Sequence, residues 1–219
     1  MDHPPTSGLA LPAVAAEKMA SELTAAQSAR ETALAACRRA IRCAGSATRA
    51  VHGGDAARWA EMKGRSEEAL REAQRALSPH PAVAYAGFLQ DAEKEFSEAV
   101  LTRALVDHEA LPTWHELCVG LGAWLNGLCE AASELRRQVL DLLRGGRPGD
   151  AERLLVAMDG VYELLMAIDY PDAITGGLRR NTDALRAVLE RTRADLTTAT
   201  LSLRLQAALG QATPPVGPP

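Results

Sequence analysis

Aromatic residues make up only 4% of this chain, so recognition of nucleic-acid bases by stacking on rings is not expected. Runs of β-branched residues are scarce, which disfavours strands. The four cysteines, Cys37, Cys43, Cys118 and Cys129, form no Cys-x-x-Cys pair, and no histidine stands at zinc-finger spacing. They read as reduced thiols, and no thiolate or imidazole metal site is indicated. A basic segment followed by an apolar run is missing at the N-terminus, so no signal peptide is expected. No uninterrupted apolar stretch is long enough to span a bilayer. A cytoplasmic location without a membrane partner is therefore expected. There is no Gly-x-Ser-x-Gly elbow and no Gly-x-Gly-x-x-Gly turn. The loop Gly145-Gly-Arg-Pro-Gly149 lacks the Gly-Lys-Ser/Thr ending of a phosphate loop and has no strand before it, so it has no nucleotide role. An excess of positive charge is also missing. Lys and Arg number 24 against 28 Asp and Glu, a net charge of −4, so any phosphate-binding surface is local.

What the chain does have is alanine and leucine. Hydrophobic residues are 47% of its 219 positions, a composition that predicts an all-α protein of one domain. That domain is expected over 11–209, between unpatterned Pro/Gly-containing tails at 1–10 and 210–219 that read as disordered. A first helix is predicted over Pro12–His52, ended by Gly53-Gly54. A second, Asp55–Leu77, is capped by Asp55 and stopped by Ser78-Pro-His-Pro81. A third runs from Phe88 to about Val106. A fourth is predicted over Thr113–Arg144, opened by the capping-box spacing of Thr113 and Glu116. Its core stripe is Leu117, Leu121, Trp124, Leu128, Leu135, Val139 and Leu142. A fifth covers Asp150–Ala167 with Asp150 as its cap. The last carries Leu178, Leu185, Leu189, Leu196 and Leu203, a narrow seam suited to helix–helix contact.

The third helix carries the feature with chemical content. Phe88, Ala92, Phe96, Ala99 and Val100 form its apolar stripe, yet Glu95 projects into that stripe and Glu98 lies along its edge. Such a seam pairs its charges, admits water or takes a cation. On the fourth helix Glu130 and Glu134 stand four apart on one face, with Arg137 beside them. Two carboxylate pairs on neighbouring helices can converge on one hard cation, Mg²⁺ or Mn²⁺, which periodicity permits without requiring. On the first helix Arg38, Arg42 and Arg49 share a face with Gly45 between them. They are either solvated arginines or a phosphate-contacting stripe that Gly45 opens to a close backbone approach.

Four stretches, in order along roughly residues 25–200, resemble the translin/Trax family. Arg38-Arg-Ala-Ile-Arg-Cys-Ala-Gly-Ser-Ala-Thr-Arg-Ala-Val-His52 is similar to its first helix. Tyr85-Ala-Gly-Phe-Leu-Gln-Asp-Ala-Glu-Lys-Glu-Phe-Ser-Glu-Ala99 resembles its Glu-x-x-Glu-Ala helix. Leu128-Cys-Glu-Ala-Ala-Ser-Glu-Leu-Arg-Arg137 resembles its Asp-x-x-x-Glu-Leu-x-Arg helix. Asp169-Tyr-Pro-Asp-Ala-Ile-Thr-Gly-Gly-Leu-Arg-Arg180 with Leu189-Glu-Arg-Thr-Arg-Ala-Asp195 is similar to the C-terminal helix of archaeal and bacterial Trax-like members.

The resemblance implies a translin-like bundle of about six to seven helices that closes into a hollow homo-oligomer, an octamer, around single-stranded RNA or DNA. It also implies Mg²⁺-dependent endoribonuclease activity with Glu95, Glu98, Glu130 and Glu134 as metal-binding and catalytic carboxylates. Among them Glu95 and Glu134 are expected as ligands, and Glu98 and Glu130 as ligands or orienters of water. Arg38, Arg42, Arg49 and Arg137 would contact nucleic acid, and the leucine seam of the last helix would join subunits. One position departs: Glu130 stands where the family has aspartate, one methylene longer and with a different reach. Two other functions stay open. One is a translin-like shell that binds without cutting. The other is an all-helical nucleotide pyrophosphatase, which also uses Glu-x-x-Glu and Mg²⁺ but does not account for the C-terminal match.

Overall fold

The structure, a computed structural model, describes residues 13–84 and 87–212. Every regular element among them is helical. Six long helices, α1 (Ala13–His52), α2 (Ala56–Leu77), α4 (Phe88–Asp107), α5 (Leu121–Arg144), α6 (Pro148–Met166) and α8 (Leu178–Ala212), are joined by two single turns, α3 (Pro81–Ala84) and α7 (Asp172–Thr175). The expected tails lie outside the described residues, apart from positions 210–212, which are the last of α8.

Helices α1, α2 and α4 pack together, as do α5, α6 and α8, and the two triads meet mainly where α4 lies against α5. Alanine shapes the first triad. Ala33, Ala36, Ala40, Ala44 and Ala47 are wholly buried on α1 and let its neighbours come close. Ahead of Ala33, the described side chains of α1 from position 15 include none that is buried, so this half of the helix stands clear of the bundle. Asp55 caps α2 as expected, accepting from the Arg58 amide at 2.9 Å. Gly54 supplies the left-handed turn between α1 and α2 (φ 68°).

The predicted fourth helix starts eight residues later than its capping box suggests. The box itself forms: the Glu116 amide donates to Thr113 Oγ1 (3.2 Å) and the Thr113 amide to Glu116 Oε2 (2.8 Å). It closes only a turn, because Cys118 takes a positive φ of 48° and Gly120 is extended. The carbonyls that would run on into a helix are captured from across the fold. Arg71 donates to Leu117 O (2.5 Å) and Cys118 O (2.9 Å), and Gln74 Nε2 donates to Cys118 O (2.9 Å). Leu117 stays in the core, but Leu121, expected in the core stripe, is 47% exposed at the start of α5. Similarly, α6 begins at Pro148, which suits a first helical position. Asp150 is therefore not its cap but pairs with Arg147 and Arg153 in the first turn.

The leucine seam of α8 also departs from expectation. Leu178, Leu185, Leu189 and Leu196 are buried in the subunit's own core, where α8 packs on α5 and α6. A heptad seam shows that a helix has an apolar partner, not which chain supplies it.

Candidate metal centre

Close approach of α4 and α5 creates the site. A Cβ on Gly127 would meet Ser97 Cβ at 2.7 Å, Lys94 O at 2.8 Å and the Glu98 amide at 3.0 Å, so only glycine fits at this crossing. Ser97 is fully buried opposite it. One turn along, Glu95 and Glu98 of α4 and Glu130 of α5 bring carboxylate oxygens within 4.8 Å of one another. These are three of the four carboxylates selected from the sequence.

Burial and mutual repulsion set the state of this cluster. Burial, followed by the charges of Glu95, Glu130 and Glu134, pushes the Glu98 carboxyl up to about 8, against the opposing pull of Lys94. The Lys94 ammonium donates to Glu130 Oε1 at 2.8 Å and lies 3.3 Å from Glu95 Oε1. Burial alone would lower the lysine's pKa, but its bond to Glu130 and the two negative charges outweigh that and raise it. A positive group thus already sits among the carboxylates. Hard oxygen donors around a small cation are the coordination that Mg²⁺ and Mn²⁺ take, so the residues fit such an ion.

Glu134, the fourth carboxylate, stands apart from the triple. His52, at the end of α1, donates from Nε2 to Glu134 Oε2 at 2.7 Å. This bond, helped by the charges of His52 and Arg137, holds the Glu134 carboxyl below its ordinary range in spite of burial. The imidazole is only 3% exposed, and its Nδ1 has no hydrogen-bond partner among the described residues.

The arginines divide. Arg38 and Arg42 are exposed on α1, and their side chains make no hydrogen bond or ion pair among the described residues. Arg49 folds back, donating to Ser46 Oγ at 2.9 Å, and its guanidinium lies over Gly45. The space expected at Gly45 for an approaching backbone is thus taken by the protein's own side chain. Arg137 is exposed on the rim of a groove of about 500 Å³ that runs from Glu134 along α5, past Arg136 and Asp141 to Arg144.

Sequence reasoning missed two members of the site, Lys94 and His52. Lys94 lies inside the acidic stretch, but its pairing with Glu130 crosses from α4 to α5. His52 had a faint signal, three residues beyond Arg49 and so on the same side of α1 as the arginine stripe.

The all-helical bundle is shared with proteins of known structure. No protein-family model matches the chain. An uncharacterized protein of Methanocaldococcus jannaschii, MJ0175, is 31% identical over 123 residues, which are 56% of this chain and 55% of that protein. The chain thus matches about half the length of this curated relative. The crystal structure of AfC3PO is 30% identical with a TM-score of 0.78, over 85% of this chain and 97% of that one. AfC3PO in its complex with duplex RNA gives 30% identity and a TM-score of 0.70, over 85% and 96%. The fold, though not more, is shared with apo-NeC3PO, at 17% identity and a TM-score of 0.78, over 88% and 100%. The chain belongs to the translin/Trax-like C3PO family.

Proposed function

We propose that this protein binds RNA and cuts it with the help of Mg²⁺ or Mn²⁺, as an endoribonuclease working within a hollow homo-oligomer, an octamer, in the cytoplasm. The observation that carries this reading is the convergence of Glu95, Glu98 and Glu130 around a positive group, next to a groove edged by Arg137 and Arg144. The RNA complex of AfC3PO, a relative at 30% identity, supports RNA as the ligand class. In this reading Glu95, Glu98 and Glu130 hold the ion. When bound, the ion supplies positive charge to the scissile phosphodiester and makes water a better nucleophile. Glu134, kept anionic by its bond to His52, would serve as a proton acceptor beside the ion-holding residues. Arg38, Arg42 and Arg137 supply the phosphate contacts that an acidic chain otherwise lacks. With few aromatics available for stacking, strand preference follows shape and access, with single-stranded RNA as the substrate cut.

A second reading, binding without cutting, is favoured by one observation: Lys94 occupies the place among the carboxylates that a catalytic ion needs. Incubation of labelled single-stranded and duplex RNA with the protein, in Mg²⁺, in Mn²⁺ and in chelator, separates the two. Metal-dependent cutting that falls to background in Glu95→Ala is the expected result. Salt-dependent binding that survives this substitution, with no cleavage in either metal, would establish the second reading.

A further inference from the structure

Lys94 differs from the other lysines and arginines that pair with acids here in that both of its partners belong to one carboxylate cluster. The helical pairs Arg58–Glu61, Lys63–Glu67 and Arg144–Asp141 run between neighbouring turns of one helix, Arg39–Glu72 joins one base to one acid across two, and Arg193 reaches Glu190 on α8 and Asp159 on α6, neither of which belongs to a carboxylate cluster among the described residues. Lys94 reaches Glu95 on its own helix and Glu130 on α5, and these two acids lie with Glu98 in one cluster of carboxylates. Its side chain is 24% exposed, so water has limited access to screen the contacts. Without a positive charge at this point, the carboxylates of Glu95 and Glu130 would repel one another across the glycine crossing that holds α4 to α5, with the Glu98 carboxyl crowded within 4.8 Å of both.

We propose that Lys94 is an exchangeable counter-ion of this site: its ammonium balances the carboxylates in the metal-free protein and leaves when a divalent cation enters. The inference rests on the proposed metal centre and adds how that centre is loaded. An ion that binds Glu95, Glu98 and Glu130 needs the oxygens that now accept from Lys94 Nζ, and a second positive charge in the same space opposes it. Loading is therefore an exchange of cations and not the filling of a bare acidic hole. The divalent ion consequently binds more weakly than three carboxylates alone would bind it. The lysine, released from Glu130, becomes accessible at the mouth of the site. Its long unbranched stem allows this movement without disturbing α4.

The test measures Mn²⁺ binding to the full chain by calorimetry or by electron paramagnetic resonance, for wild type, Lys94→Met and Glu98→Gln. Removing the competing charge is expected to tighten Mn²⁺ binding by about tenfold or more in Lys94→Met, while Glu98→Gln loses it. In wild type, acetylation of Lys94 by an amine-directed reagent, read by mass spectrometry, is expected to rise when Mn²⁺ is added. This labelling decides the matter if Lys94→Met does not fold. Equal Mn²⁺ affinity in wild type and Lys94→Met, or labelling of Lys94 that Mn²⁺ leaves unchanged, would overturn the exchange while leaving the metal centre standing. Absence of Mn²⁺ binding in wild type and Lys94→Met alike would overturn the metal centre, and the exchange with it.

Discussion

Helix α5 makes two contacts of opposite character. Towards α8 it meets an apolar seam, Leu178, Leu185, Leu189 and Leu196, all nearly inaccessible to water, with charge confined to the margin where Arg136 reaches Asp195 at 2.6 Å. Towards α4 it meets a crossing of small residues, Gly127 and Ser97, flanked by Glu95, Glu98, Glu130 and Lys94. Burial of leucine stabilises the fold by roughly 2 kcal/mol per side chain and has no directional demand. Partly buried carboxylates oppose folding unless a cation or hydrogen bond compensates them. One helix therefore separates the two tasks: its α8 side holds the bundle together and its α4 side keeps crowded charge available for chemistry.

The comparison breaks if the two sides depend on each other. The largest effect is expected from Leu185→Ala, a loss of about 2–5 kcal/mol by chemical denaturation, with Mn²⁺ affinity of the folded protein unchanged. A fall in affinity would mean that the seam also shapes the acidic side.

Next in size is a pH dependence that belongs to Glu98. Its carboxyl has an ordinary value of 4.5 and is raised to about 8 in the fold. Below 4.5 it is neutral in both states and stability is at its fullest. Between 4.5 and 8 the unfolded chain releases the proton that the folded chain keeps, so stability falls as pH rises. The metal-free protein is expected to lose roughly 3 kcal/mol across this window, which is less than the full linkage value because water partly screens the site. Denaturation in chelator from pH 4 to 9 checks it, and Glu98→Gln should flatten the curve. An unchanged slope in that variant would assign the dependence elsewhere.

Gly127→Ala gives the smallest change in stability, about 1–3 kcal/mol from forcing α4 and α5 apart. It sharpens the contrast because Mn²⁺ binding should fall out of proportion to stability. Full retention of binding would show that the carboxylates do not need this spacing.

Much of the fold was legible because local signals are faithful to it. Periodicity and breakers at Gly53-Gly54, Pro79 and Pro171 delimit helices that the structure contains. The start of α5 was not legible, since the carbonyls of Leu117 and Cys118 are claimed by Arg71 and Gln74, more than forty positions away. The acidic residues of the site could be chosen because Glu95 contradicts the stripe around it, because Glu130 and Glu134 stand four apart on one helix face, and because the resemblance points to the same carboxylates. Their actual division, three together and Glu134 drawn off by His52, depends on contacts between helices that no spacing encodes. The same holds for Lys94. The α8 seam was visible as a seam, but its partner was not.

The strap over residues 113–120 has a consequence for angle as well as for connection. The Gly120 amide, at the head of α5, donates to Glu93 Oε2 at 3.0 Å, and Glu93 belongs to the helix that carries Glu95 and Glu98. The helix bearing two of the carboxylates thus also clocks the rotation of the helix bearing the third. A slip of one residue at Gly120 would turn Glu130 by ~100° about the α5 axis and carry it ~1.5 Å along. A loop with no acidic residue in the seam therefore acts as the keyway that sets the phase of the site.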